Sequence, residues 1–183
     1  MTELISSNYL EAMKETHKKY KFGATAKTPK IQAYISNIIK KDGYKDLLDY
    51  GAGRCYLETS MRKDGIKVTS YEPANEKLVH NNIPHNFVVC IDVLEHIEPD
   101  LLDNVLQDLH RVTLEKGLFT ISLKKAKKVL PDGRNAHLII ESSEWWLQKL
   151  KAYFTIQNKT IEEGQFLDVV VRPKNLQDQK NIS

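Results

Sequence analysis

The chain has 183 residues, 41% of them hydrophobic and 28% charged, with a formal net charge of +3. That length suits one domain with a substantial core, and the composition excludes disordered, collagen-like and membrane-spanning classes. The slight basic excess permits an anionic substrate without requiring nucleic acid. No apolar run is long enough for a bilayer span or a signal-peptide core, so a cytoplasmic protein with no membrane partner is expected.

From the N-terminus, residues 7–19 and 28–40 have the spacing of two helices, the second carrying Ile31, Tyr34, Ile35, Ile38 and Ile39 at helical intervals. Phe22 to Pro29 joins them as a glycine-bearing loop, in the first place a connection between packed helices and, beyond that, a segment able to fold over a ligand as a lid. Leu47 to Tyr50 reads as a buried strand, Tyr56 to Lys63 as a helix, Val68 to Glu72 as a second strand, and Glu76 to His80 as at most a helical turn. The interval from Glu72 to Phe87 is too short for a helix, a strand and another helix, which predicts a trimmed sheet. Phe87 to Ile91 reads as a strand, Leu101 to Val112 as a helix, Gly117 to Leu123 as a strand, and Glu144 to Tyr153 as a helix capped by the hydroxyls at Ser142 and Ser143. Phe154 to Glu162 and Phe166 to Arg172 form an antiparallel pair around Gly164, and a polar tail follows.

This alternation predicts an α/β fold: a Rossmann-like, doubly wound and mainly parallel sheet with helices on both faces and a C-terminal antiparallel strand pair. Residues 1–44 supply the N-terminal helices and lid-like loop, 45–173 the core of the same domain, and 174–183 the tail. The cysteines, Cys55 and Cys90, have neither a disulfide-framework nor a zinc-cluster spacing.

The sharpest motif is Asp49-Tyr50-Gly51-Ala52-Gly53, where a buried strand breaks into a glycine loop with a carboxylate just before it. Glycines let a backbone approach a ligand closely, and a helix start offers unpaired N–H groups. A dinucleotide loop has a third glycine that lets its helix pack closely on the strand, and here that position is Tyr56. Asp49 would moreover repel a pyrophosphate. S-adenosylmethionine fits better, because a carboxylate can hold its ammonium and Glu72, at the end of the next strand, can accept from its ribose hydroxyls.

Asp49-x-Gly51-x-Gly53, then Glu72, then Phe87 to Ile97 with Asp92-Val93-Leu94-Glu95-His96, resembles the first, second and fourth motifs of class I S-adenosylmethionine-dependent methyltransferases, over about Lys45 to Arg172. Leu130 to Leu138 and Glu144-Trp145-Trp146 resemble small bacterial and phage methyltransferase-like proteins. The chain departs from the family pattern in two places: Cys55 stands where a third glycine is frequent, and no acid of the third motif lies between Glu72 and Phe87. The resemblance implies S-adenosyl-L-methionine as cofactor, contacted by Asp49, Tyr50, Gly51, Ala52, Gly53, Glu72, Asp92 and Val93.

For the chemistry, His137, His96 and Asp92 are the candidates, since imidazole titrates near neutral pH and all three should meet at the strand ends, closed over by Lys124 to Arg134. Asp92-x-x-Glu95-His96 with His137 also has oxygen and nitrogen donors suited to a divalent metal, though no metal is assigned. The lysines of Lys124 to Lys128 read as solvated, and of Trp145 and Trp146 one should enter the core and one the acceptor pocket. Neither an Asn-Pro-Pro-aromatic motif nor a Pro-Cys nucleophile is present, which disfavours nucleobase methylation. The reading is a methyltransferase acting on a hydroxyl or amine of a small molecule or glycan, with nucleic acid not favoured. A noncatalytic S-adenosylmethionine-binding protein and an RNA ribose methyltransferase are the alternatives.

Overall fold

The computed structural model describes residues 2–20 and 24–175. Among the described residues five α-helices, α1 (Ser7–Lys19), α2 (Pro29–Asp42), α3 (Tyr56–Met61), α4 (Leu102–Val112) and α5 (Ser143–Tyr153), flank six strands. The strands are β1 (Asp46–Tyr50), β2 (Lys67–Tyr71), β3 (His85–Ile91), β4 (Thr113–Ser122), β5 (Phe154–Glu162) and β6 (Phe166–Pro173). They form one sheet in the order β2-β1-β3-β4-β6-β5. Pairing is parallel from β2 to β4, and β6 runs antiparallel to both β4 and β5. The α/β class, the mainly parallel sheet and the C-terminal antiparallel pair are as the sequence predicts. Among the described residues no helix is long and apolar enough to cross a membrane.

The sheet is trimmed where its sequence is short. Between β2 and β3 the chain makes only hydrogen-bonded turns, with Leu78 N and Val79 N donating to Asn75 O at 2.9 and 3.0 Å, and β2 is left as the edge of the sheet. At the opposite edge β5 carries mostly exposed polar side chains, which discourages pairing with another chain.

Two apolar layers sandwich the sheet. On α4, Leu102, Val105, Leu106, Leu109 and Val112 fall on one face and pack with α5 residues Trp146 and Leu150 over Val88, Phe119 and Val169. On the other side Ile31, Ile35, Ile38 and Ile39 of α2 join Leu57 and Met61 of α3 over Leu47, Val89 and Leu118. A separate cluster joins Tyr9 and Met13 of α1 to Leu130 and Ala136. The N-cap of α5 is Ser142, whose side chain accepts from Trp145 N, and that of α1 is Ser6, which accepts from Tyr9 N. The polar tail expected after Lys174 falls almost wholly outside the described residues, as do Phe22 and Gly23 of the interhelical loop.

β4 is longer than its apolar run suggests, beginning at Thr113 because pairing with His85 and Phe87 extends it through the exposed Leu114 and Glu115. At its centre Gly117 lies where an added Cβ would be 2.8 Å from both Phe119 and Val171. Gly117→Ala should therefore destabilise the protein by about 1–3 kcal/mol through overpacking, measured as a lower denaturant midpoint with an unchanged m-value.

Candidate active site

β1, β2 and β3 end side by side, and carboxylates gather there: Asp49 near the end of β1, Glu72 just beyond β2 and Asp92 just beyond β3. The sheet order departs from β1 in both directions, to β2 and to β3, and such a switch point is where open α/β sheets hold ligands.

The glycine turn is fixed by its neighbour strand. Gly51 N and Ala52 N both donate to Tyr71 O at 2.9 Å, and Gly53 N donates to Glu72 Oε2 at 2.9 Å. Ala74 N donates to the other Glu72 oxygen at 3.0 Å, so this carboxylate ties the turn to the segment after β2. The amides of Gly51, Ala52 and Gly53 are thus engaged inside the protein. Gly51 and Gly53 have φ of 79° and 54°, and an added Cβ at Gly51 would meet Val93 Cγ2 at 2.5 Å. Cys55, at the frequent third-glycine position, has φ 54°, a left-handed backbone that costs an L-residue energy.

Asp49 is buried, and its Oδ2 has no hydrogen-bond partner among the described residues. Burial, then the nearby Glu72 charge, push its pKa up to about 7. Asp92 also has a left-handed backbone, φ 52°. Its Oδ2 accepts from Thr25 Oγ1 at 2.5 Å and its Oδ1 from Thr120 Oγ1 at 3.4 Å, while its N–H donates to Thr120 O at 3.0 Å. Through Thr25 the interhelical connection does reach the site.

A cleft partly open to solvent lies over these strand ends and is walled by Ile5, Tyr9, Met13, His17, Gly51, Gly53, Glu72, Pro73, Asp92, Val93, His96 and Ile97. Of the residues assigned to the cofactor, Gly51, Gly53, Glu72, Asp92 and Val93 line it. Asp49, buried beneath the turn, is not among its walls. Nor is Tyr50: its ring packs on Tyr71 at 4.7 Å and its hydroxyl donates to Asp108 at 2.9 Å, since alternate residues of a strand point to opposite faces. Ala52 is buried within the turn.

Among the catalytic candidates, Asp92 and His96 line the cleft, and His137 stands beside His96 with its ring edge-on at 4.7 Å. The cleft is closed by α1 and by Ile5 upstream of it, not by Lys124 to Arg134; Leu130 of that segment packs against Tyr9 and Met13 instead. Trp146 is buried as one of the two tryptophans should be, but Trp145 lines a different groove with Pro99, Leu102, Leu138 and Lys149. His96 Nδ1 donates to Ala136 O at 2.6 Å, and burial followed by the neighbouring His137 pushes its pKa down to about 3. It is therefore a neutral imidazole and a poor proton acceptor at neutral pH, which weakens the acid–base role expected for it.

The sequence reading missed α1 as a wall of the site. Its signal was there in Tyr9 and Met13, four residues apart on a helix with polar surroundings, but nothing local says what that stripe covers. The structure anchors α1 through Ser6, whose N–H and hydroxyl donate to the Glu98 carboxylate at 2.9 and 2.7 Å, and through Tyr9, whose hydroxyl donates to His96 O at 2.7 Å.

Fold and site together define a class I S-adenosylmethionine-dependent methyltransferase architecture. The chain matches the methyltransferase domain family over residues 13–161 and belongs to it. In structure it is similar to Burkholderia thailandensis 1,6-didemethyltoxoflavin-N1-methyltransferase, solved with 1,6-didemethyltoxoflavin and S-adenosylhomocysteine, with a TM-score of 0.63, 15% identity, and 92% of this chain and 90% of that one covered. It is also similar to the PH0226 protein of Pyrococcus horikoshii OT3, with a TM-score of 0.61, 14% identity and coverage of 87% and 99%. The structure of a DhpI–SAH complex gives a TM-score of 0.60, 14% identity and coverage of 92% and 98%. No protein of curated function matches the chain in sequence.

The strained turn makes its own prediction. Cys55→Gly relieves the left-handed conformation at the cost of a more flexible unfolded chain, so a net gain of roughly 0.5–1 kcal/mol is expected in equilibrium denaturation. A loss of stability would mean that the Cys55 side chain contributes more than its backbone costs.

Proposed function

We propose that the protein transfers a methyl group from S-adenosylmethionine to a hydroxyl or amine of a small molecule or glycan. One observation carries this reading: Asp49 is buried at the switch point with an oxygen that lacks a partner among the described residues, pressed by the charge of Glu72, behind a turn whose amides are already engaged. Such a site favours a cation and offers little to a phosphate, and the class cofactor carries an ammonium and a sulfonium. The residues present therefore fit it.

Asp49 holds the ammonium in this reading, which offsets the burial and the Glu72 charge that raise its pKa. Glu72, fixed by Gly53 N and Ala74 N, keeps lone pairs for two hydroxyl donors such as those of a ribose. Ile5, Tyr9, Met13, Val93 and Ile97 exclude water from the remainder. When bound, the cofactor supplies a methyl group activated by positive sulfur, so alignment of the acceptor contributes much of the rate. Asp92, clamped by Thr25 and Thr120, and neutral His96 form the polar end of the cleft where the acceptor approaches. A full proton transfer at His96 is not required for an acceptor that arrives as a neutral amine.

Binding should depend on pH through Asp49. Below about 7 its carboxyl is protonated in the free protein and must lose that proton to hold a cation. Calorimetric affinity for S-adenosylmethionine should therefore rise as pH increases toward 7, by at most about tenfold per pH unit, and level off above it, with a proton released to buffer. Asp49→Asn should bind more weakly and lose that slope; a slope that persists would remove Asp49 from the assignment.

Glu72→Ala should weaken binding by roughly 1–3 kcal/mol, because a buried charged acceptor is lost and two amides are left unpaired. Unchanged affinity in a folded variant would place the cofactor elsewhere. Release of S-adenosylhomocysteine that depends on an added acceptor separates an enzyme from a protein that only binds. Gly51 is a poor probe, since any side chain there strikes Val93 and disturbs packing as well as binding.

A further inference from the structure

We propose that Glu95, His96 and His137 form a binding site for one divalent transition-metal ion of the zinc type at the acceptor end of the cleft. Each offers a ligand atom, and the three lie within 4.8 Å of one another. Donors around one such ion are roughly 3–3.5 Å apart, given metal–ligand distances of about 2.0–2.2 Å, so a small inward movement closes the set.

Glu95 supplies the strongest reason. It is fully buried; one oxygen accepts from Ser122 N at 2.7 Å, and the other has no hydrogen-bond partner among the described residues. A buried carboxylate with an unserved oxygen requires a proton or a cation nearby. The two imidazoles beside it are prepared for the second choice. His96 Nδ1 lies 2.6 Å from Ala136 O and His137 Nδ1 lies 2.5 Å from Lys124 O, so both rings donate from Nδ1 and carry the lone pair on Nε2. A backbone carbonyl fixing the far nitrogen in this way is how metal-bound histidines are oriented.

The scaffold holds these groups in place although 40 residues separate His96 from Ala136. Leu138 N and Ile139 N both donate to Glu95 O, at 2.8 and 3.1 Å, which joins the segment bearing His137 to the turn bearing the other two. Asn135 Oδ1 accepts from Ala126 N and His137 N at 2.9 and 3.0 Å, which fixes the approach of His137. Asp92, the first acid of the pattern, is not part of the set, because its oxygens accept from Thr25 and Thr120. Two imidazoles and one carboxylate with open positions suit zinc and its first-row neighbours better than magnesium. His96 also lines the cleft, so an ion there would favour hydroxyl acceptors over amines. That corollary rests on the methyl-transfer reading, whereas metal binding stands without it.

The test uses chelator-stripped full-length protein titrated with Co²⁺. Expected are uptake of one ion per chain, visible d–d absorption of a four- or five-coordinate centre, and displacement by Zn²⁺. Glu95→Gln and His137→Ala should each weaken Co²⁺ binding by about tenfold or more, while calorimetric affinity for S-adenosylhomocysteine stays close to that of the parent. No uptake at hundred-micromolar Co²⁺, or full affinity in His137→Ala, would overturn the proposal and leave Glu95 as a protonated structural acid. If Glu95→Gln does not fold, His137→Ala decides alone. Co²⁺ uptake without any S-adenosylhomocysteine binding would instead retain the metal site and refute the cofactor reading.

Discussion

The site depends on the crowding of carboxylates at the ends of three parallel strands. Asp49, Glu72 and Asp92 close β1, β2 and β3, and Glu95 follows one turn later. Burial alone opposes ionisation of Asp49 and Glu95, and neighbouring negative charge opposes it further. The protein resolves only part of this tension. Glu72 receives two backbone amides and Asp92 two threonine hydroxyls, but Asp49 and Glu95 each keep one oxygen with no hydrogen-bond partner among the described residues. A site left in that state costs stability in the free protein and is stabilised by whatever brings positive charge or hydroxyl donors.

The remainder of the fold can be understood as what holds those strand ends together. α4 and α5 cover one face of the sheet and α2 and α3 the other, so β1 and β3 are buried on both sides and their ends cannot drift. The short passage from β2 to β3 leaves the cleft without a helix at that point, and α1 is pinned across the opening by Glu98 and by the carbonyl of His96. Anchoring α1 to the turn that bears His96 makes the wall and the polar end of the cleft one mechanical unit.

Much of this was legible in the sequence because it is periodic. The stripe Leu102, Val105, Leu106, Leu109 and Val112 announces a helix on a sheet, Ser142 before Trp145 announces its own cap, and Gly164 between two apolar runs announces a hairpin. The placement of carboxylates after strand-like runs also pointed to one edge of the sheet. What was not legible belongs to tertiary packing. Nothing local distinguishes Glu95, fully buried, from the exposed Asp100 a few residues on. Nor does the pattern Gly51-Ala52-Gly53 reveal that Tyr71 and Glu72 have already taken its amides. Trp145 and Trp146 were correctly assigned to different faces, but which groove the outer one meets is decided by how Pro99 and Leu138 arrive from elsewhere.

The engaged amides also explain why a glycine loop of this kind need not mean a nucleotide phosphate. A phosphate-binding turn leaves its N–H groups pointing at the ligand and adds the positive end of a helix. Here the helix after the turn, α3, is short, begins at a strained Cys55, and is preceded by amides that face protein acceptors. The glycines serve a different geometry: they let the chain reverse close to Val93, where a side chain at Gly51 would not fit, and so bring β1 and the turn after β3 within reach of one ligand. With the amides of Gly51, Ala52 and Gly53 engaged and carboxylates gathered at the strand ends, the ligand such a backbone trace suits depends on the charge of its side chains and not on the fold alone.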